Sequence, residues 1–342
     1  MRLQGLVTDS GLSTLALAID PTGNIPALMY RIFDQCISSD IPLPELEPCE
    51  KAVPDINFSL SGHNSGMESG GISWLHHWTT PEGEAFCSCG MKGDEYVLRF
   101  HALLDFFLSK DQRDITCLPL KEVPLGTIRH LLIDQVVPRI LGHWGNLVVH
   151  GSAVSIDGKA VAFLGRSGIG KSTLAAYLHK QGHTILTDDC FKLNDEDPTG
   201  ISITPNYPGV RLFDDSSDAV FANSPANGVA HYTRKKRLVI ASDKSAPDQT
   251  LAAIFFLSPL IGKQDNPVAT QPVHGLQRII KLVECSFGLY GGTNEELRKH
   301  FLRQGSLANS CTSFLQLSHP HRYDQLPAVR RRILEVLDMK EA

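Results

Sequence analysis

At 342 residues the chain has enough surface to bury for two or three structural units. With 42% apolar and 20% charged residues it reads as a globular protein rather than a disordered one, and its formal net charge of −5 argues against nonspecific nucleic-acid binding. No apolar run approaches the roughly twenty residues that span a bilayer. Met1-Arg2-Leu3-Gln4 has neither the charged start nor the apolar core of a signal peptide, so a cytoplasmic protein with no membrane or nucleic-acid partner is expected.

From the N-terminus, Leu15-Ala16-Leu17-Ala18-Ile19 followed by Pro21-Thr22-Gly23-Asn24 reads as a strand or short buried element and a turn. Pro42 to Pro54 reads as a loop, and Gly62 to Gly71 as a polar, Gly-rich segment. Ile72 to Trp78 and Tyr96 to Phe100 read as short strands of a mostly β unit. His76-His77 invites a metal reading, but adjacent strand side chains point to opposite faces, so the two do not readily share one ion. The eight cysteines, at 36, 49, 87, 89, 117, 190, 285 and 311, are scattered. They suggest reduced thiols rather than a disulfide framework, and Cys87-Ser88-Cys89 lacks partner ligands at zinc spacing. From Gly126 to Gly142, Ile128, Leu131, Leu132, Val136, Val137 and Ile140 recur at helical intervals, with Pro138 expected to strain or end the helix near its last turn. Trp144 is expected to pack at the junction. These features predict an N-terminal, mostly β (α+β) domain over 1–142 and a second domain over 143–342.

The second unit opens with the apolar run Leu147-Val148-Val149, which His150-Gly151 ends. By spacing alone His150 reads as a packed core histidine. Ala160 to Leu164 reads as a buried strand, and it runs into Gly165-Arg166-Ser167-Gly168-Ile169-Gly170-Lys171-Ser172, which has the spacing of a phosphate-binding P-loop. Glycines let successive N–H groups turn toward phosphate oxygens, and the helix expected from Thr173 to Lys180 adds the positive end of its dipole. Lys171 supplies a charge for the β- and γ-phosphates, and the Ser172 hydroxyl suits Mg²⁺. Gly182 stops the helix, and Thr184 to Thr187 reads as the next strand, ending in Asp188-Asp189. In a parallel sheet both strands would deliver their ends to one edge, so the acidic pair is expected to face the phosphates. One carboxylate can then hold the metal and the other accept a proton.

Phe191-Lys192-Leu193 and Ile201-Ser202-Ile203 read as a hairpin around a polar turn at 194–200. Residues 214–231, with Asp214-Asp215, read as a solvated loop able to act as a lid or substrate contact. The run Arg234-Lys235-Lys236-Arg237 reads either as a solvated face or as cations for the transferring phosphoryl or an acidic peptide. Leu251 to Leu257 predicts a central strand buried on both faces. Leu276 to Cys285 and Thr293 to Arg303 read as helices, Phe314 to Leu317 as a strand, and Pro327 to Leu337 as a terminal helix with an exposed basic face at Arg330-Arg331-Arg332.

The stretch from His150 to Asp189 resembles the catalytic core of the HPr kinase/phosphorylase family, whose nucleotide-binding fold is shared with ATP-dependent phosphoenolpyruvate carboxykinase. His150-Gly151, Gly165 to Ser172 and Gly182-His183 to Asp188-Asp189 match that family's motifs in place over about forty residues. Two departures stand out. Thr173 follows the P-loop serine where the family usually has Glu, and Pro208-Gly209-Val210-Arg211-Leu212-Phe213 stands where a Glu-Ile-Arg-Gly stretch is usual, with Arg211 able to match the family arginine. The same stretch, the basic run and the tail look more like HPr-kinase-like proteins encoded with peptide-modification clusters, among them lasso-peptide precursor kinases.

The resemblance implies an α/β P-loop kinase core in 143–342 that uses ATP and Mg²⁺ to phosphorylate a serine on a small protein or peptide. Gly165 to Thr173 would bind nucleotide, Ser172 and Asp189 would hold Mg²⁺, Asp188 would be the general base, and His150 would orient or relay a proton near it. The alternatives are a nucleotide-binding regulatory module without transfer, and a phosphoserine phosphorylase or phosphatase. A phosphoenolpyruvate carboxykinase is disfavoured by the short chain and the lack of a matching oxaloacetate motif. A homo-oligomer stays open.

Overall fold

In the computed structural model of the protein, residues 28–62, 70–80, 83–195, 200–213, 216, 220, 227–228, 236–238, 247–260, 268–289, 294–310 and 313–338 are described. The expected elements at Leu15 to Asn24, most of Gly62 to Gly71, Asp214-Asp215 and Arg234-Lys235 lie outside them, as does Thr293.

The first half folds as a nine-stranded sheet. Its strands are β1 (Leu28–Ile32), β2 (Gln35–Ser39), β3 (Glu47–Pro48), β4 (Ile56–Leu60), β5 (Ser73–Thr79), β6 (Ala85–Lys92), β7 (Glu95–Phe100), β8 (Leu104–Leu108) and β9 (Asp114–Pro119). They lie in the order β3-β1-β2-β4-β9-β8-β7-β6-β5. Alternation along the strands sends Leu98, Phe100, Leu104 and Phe106 to the main core and Val97 and Phe107 to a small cluster on the other face, which is why β8 is buried throughout. His76 and His77 find separate partners, as their spacing predicts: His77 Nδ1 lies 2.7 Å from Ser88 Oγ, while His76 meets the edge of Trp78.

The apolar face read over 126–142 covers that core. It is carried by α1 (Leu125–Leu131), a π-helical turn over Leu132–Val136, and α2 (Val137–His143). Pro138 does not end the helix. The wider turn precedes it, with the Val137 N–H bonding the Leu132 carbonyl, and the helix continues to His143. The Trp144 Nε1–H then donates to the Gln112 side chain at 3.1 Å, pinning the junction.

The second sheet is built from β10 (Leu147–Ile156), β11 (Lys159–Leu164), β12 (Thr184–Thr187), β13 (Cys190–Asn194) and β14 (Ser202–Pro205). The ladder pairs β15 (Val210–Leu212), β16 (Asn227–Gly228) and β17 (Lys236–Leu238) form a separate small sheet. The large one continues through β18 (Gln249–Pro259), β19 (Ala269–Pro272) and β20 (Phe314–His319). Helices α3 (Lys171–Lys180), α4 (Leu276–Cys285), α5 (Asn294–Ser310) and α6 (Leu326–Val336) accompany it. Strand β10 does not stop at His150-Gly151. It runs on, pairing β13 with its first half, and β11 and β12 with its second. The two strands expected in a parallel sheet are therefore not neighbours in it. Both β11 and β12 are antiparallel to β10 and so parallel to each other, with β10 between them. Their carboxyl ends still emerge at one edge, and β18 and β20, parallel to β11, end there too.

One hydrophobic cluster contains the first sheet's core, the helix and also Val148, Cys190, Tyr207 and Leu289 from the second half. Lys192 on β13 pairs with Asp34, between β1 and β2, at 2.6 Å. Among the described residues no helix is long and apolar enough to cross a membrane.

The expectation of uniformly reduced cysteines also needs correction, because Cys36 and Cys49 form a disulfide within the first sheet. Their separation of 13 residues gave no framework signal; the antiparallel pairing of β1 with both β2 and β3 brings them together. Cys87, Cys89, Cys117, Cys190 and Cys285 are buried thiols, and burial pushes the Cys87 thiol up to about 12. Alkylation of the native chain near neutral pH followed by nonreducing peptide mapping should recover a Cys36–Cys49 linked peptide and those five thiols unmodified. Ready labelling of Cys87 would contradict the packing.

Candidate functional site

The strand–loop–helix unit read from the sequence is present, with β11 delivering the loop and α3 starting at Lys171. Gly165, Gly168 and Gly170 have φ of 139°, 81° and 100°, a region that side chains with a Cβ avoid. This lets the loop wrap over the start of α3. The Lys171 ammonium donates to the Gly165 carbonyl at 2.8 Å and the Arg166 carbonyl at 3.1 Å, along the inside of the loop. Ile169 packs on the core, and Arg166 and Ser167 are exposed.

The acidic pair is a break within a line of strand rather than a strand end. β12 and β13 both pair β10, and Asp188-Asp189 interrupt them, with Asp189 at φ 81°. The Gly151 N–H donates to the Asp189 carbonyl at 3.1 Å. A Cβ at Gly151 would come within 2.7 Å of the Phe163 carbonyl oxygen, which accounts for glycine after His150.

The break turns the two carboxylates to different tasks. Asp188 is buried, and its Oδ1 accepts from Ser152 Oγ at 2.5 Å and from Ser172 Oγ at 3.0 Å. Its Oδ2 accepts the Arg211 backbone N–H at 3.0 Å. Asp189 instead lines a cleft of 180 Å³ beside the loop, ion-paired with the Arg211 guanidinium. His150, Ser167, Gly168, Gly170, Lys171, Ser172 and Thr173 line the same cleft. Gly165, Arg166 and Ile169 shape the loop from outside it. His150 is half-buried with its ring edge-on to Phe287, centroids 6.2 Å apart.

Several lining or supporting residues escaped the sequence reading. Ser152 follows His150 by two on one strand, the period that puts both on one face, so that signal was available. His321 and Tyr323 follow β20, whose carboxyl end is at the loop edge by the parallel pairing. Ser216 joins Thr173 to Tyr323 by hydrogen bonds of 3.3 and 3.0 Å, so the position where a Glu is usual carries a hydroxyl chain instead. Of the basic run, Lys236 and Arg237 lie on β17 opposite Leu212 and Arg211.

The donor set fits a magnesium–nucleotide complex. Ser172 and the carboxylates are hard oxygen ligands, while open glycine backbone and Lys171 suit phosphate. Among the described residues no group of three His, Cys, Asp or Glu side chains gathers as a metal site. Burial pushes the nearby Cys190 thiol well up, and the Asp134 and Asp188 charges add to the shift.

No family profile matches the chain. It is similar to curated proteins named HPr kinase/phosphorylase, being 34% identical to that of Bacillus licheniformis over 85 residues, 23% of this chain and 25% of that one. It is 45% identical over 80 residues to those of Bacillus velezensis and Bacillus subtilis, 23% of this chain and 24% of theirs. The chain spans about a quarter of the length of these relatives. A solved Hpr(Ser) kinase/phosphatase from Coxiella burnetii aligns with 47% of this chain and 90% of its own, at 16% identity and a TM-score of 0.24, too slight a likeness to bear on the fold. Over about a quarter of its length the chain is thus similar to proteins of that name, in line with the resemblance read from the motifs.

An Asp188→Asn change replaces an acceptor of three donors with a group that must point an NH₂ at one of them. It should lower stability by about 1–3 kcal/mol as well as disturb the loop. Denaturant unfolding measures this, and an unchanged midpoint and slope would contradict the hydrogen-bonding assignment.

Proposed function

We propose that the chain is an ATP- and magnesium-dependent kinase that transfers the γ-phosphoryl group to a serine hydroxyl of a small protein or peptide. The observation that carries this reading is the hydrogen bond from the P-loop hydroxyl of Ser172 to Asp188, with Asp189 turned into the same cleft. Loop N–H groups and Lys171 would bind the β- and γ-phosphates. Magnesium, when bound at Ser172, supplies charge neutralisation across those phosphates.

The sequence reading gave the proton to Asp188 and the metal to Asp189. The hydrogen bonds support the reverse division. Asp188 shares Ser172 and is shut behind it, whereas Asp189 faces the space an incoming hydroxyl would enter. Asp189 would take the hydroxyl proton, with His150 lining the cleft beside it. Arg211 would offset negative charge developing on the transferring group. Little covalent chemistry is asked of these groups; orientation and fixed charge carry the rate.

The likeness of Pro208 to Phe213 and the basic run to kinases from peptide-modification clusters supports a peptide acceptor. The relatives' names also contain a phosphorylase activity, which the same groups would serve in reverse.

The experiment is mass spectrometry of HPr and of serine-bearing peptides incubated with the chain, ATP and Mg²⁺. One added phosphoryl mass is expected with the wild type, and Lys171→Ala should slow its appearance by about 10²- to 10³-fold. Full turnover in Lys171→Ala would overturn the phosphate-binding assignment. ATP binding without any phosphorylated product would favour the regulatory module, and phosphate-dependent removal of the group would favour the phosphorylase.

A further inference from the structure

The helix before β10 reads in sequence as an apolar face, yet its π-helical turn carries a fully buried carboxylate, Asp134. The Tyr207 hydroxyl donates to both Asp134 oxygens, at 3.0 and 3.1 Å. His130 Nδ1 lies 2.8 Å from Oδ2, and Arg211 Nη1 lies 3.2 Å from the same oxygen and in contact with His130. Tyr207 and Arg211 belong to the second half of the chain, 73 and 77 residues beyond Asp134. Helical turns of the π type are uncommon and recur at functional sites.

Arg211 therefore has a buried guanidinium between two carboxylates, Asp134 on the helix side and Asp189 on the cleft side, while its backbone N–H is fixed on Asp188. A guanidinium is planar and presents its donors in fixed directions. Holding one edge on Asp134 therefore sets the direction of the edge that meets Asp189.

We infer that Asp134, braced by Tyr207 and His130, is a positioning residue for the transfer site: it holds Arg211 in the orientation that faces Asp189 and the cleft. The helix between the two sheets thereby becomes part of the phosphoryl-transfer apparatus. The effect on turnover rests on the kinase reading; the contact itself does not. Without the Asp134 charge, Arg211 turns wholly to Asp189, occupying the carboxylate and withdrawing from the transferring group. Asp134 does not line the cleft, so nucleotide affinity is spared.

Two measurements on the full chain test this. The first follows ADP release from Mg·ATP with HPr as the acceptor probe. Asp134→Asn should lower kcat by about 10- to 100-fold, with KM for ATP changed by less than about 2-fold. Tyr207→Phe should fall between it and the wild type. In an Arg211→Ala background, Asp134→Asn should cause no further loss, because it acts through that arginine. Losses that multiply in the double variant, or wild-type kcat in Asp134→Asn, overturn the inference.

The second measurement records the Arg211 side-chain Nε–H by ¹⁵N NMR, a readout independent of turnover. A displaced Arg211 Nε–H resonance in Asp134→Asn, with the guanidinium still held by Asp189, is expected, and an unchanged resonance overturns the inference. If Asp134→Asn does not fold, Tyr207→Phe, which removes one hydroxyl, carries both measurements. A wild type that releases no ADP defeats the kinase reading, while the NMR comparison still decides the contact.

Discussion

The buried carboxylate of Asp188 is the constraint on which the site depends. A charge out of water is stable only where donors surround it, and here they come from three places: Ser152 on β10, Ser172 at the P-loop and the Arg211 backbone on β15. Satisfying one side chain thus assembles the loop, the strand beneath it and the strand beside it. The same requirement explains why the acidic pair sits in a break of the β12–β13 line. A regular strand would send successive side chains to opposite faces of the sheet, whereas the left-handed Asp189 lets one carboxylate serve the framework and its neighbour the cleft.

Charge balance extends from there into the first half of the chain. Arg211 is shared between Asp189 and Asp134, and Asp134 is shared among Arg211, His130 and Tyr207. Lys192 reaches across to Asp34. These polar links lie beside a hydrophobic cluster that already spans both halves, so the nine-stranded sheet and its helix form a wall behind the candidate site.

What the sequence made legible was local. Glycine spacing, a buried strand before the loop and a helix after it set the P-loop, because each depends on residues a few positions apart. The hairpin of β13 and β14, the long strand β18 and the helices at 276–285 and 326–336 were readable for the same reason. Nonlocal pairing was not. A parallel relation between β11 and β12 is the same whether they are neighbours or flank β10, and only the register reveals the strand between. Cys36 and Cys49 meet through two strand pairings, and Asp134 lies on a helix whose periodicity reports its apolar face and not the charge buried beside it. Asp188 and Asp189 were found as a pair, but their division of labour depends on a backbone angle that adjacent letters do not encode.

A crystal structure of the chain with magnesium and a nonhydrolysable ATP analogue tests the central arrangement most directly. The phosphates should lie against the loop N–H groups and Lys171, with the metal on the Ser172 hydroxyl on the side of Asp188, and Asp189 left facing the terminal phosphate. A nucleotide bound away from the loop, or a metal held by Asp189 while Asp188 meets the terminal phosphate, would contradict it.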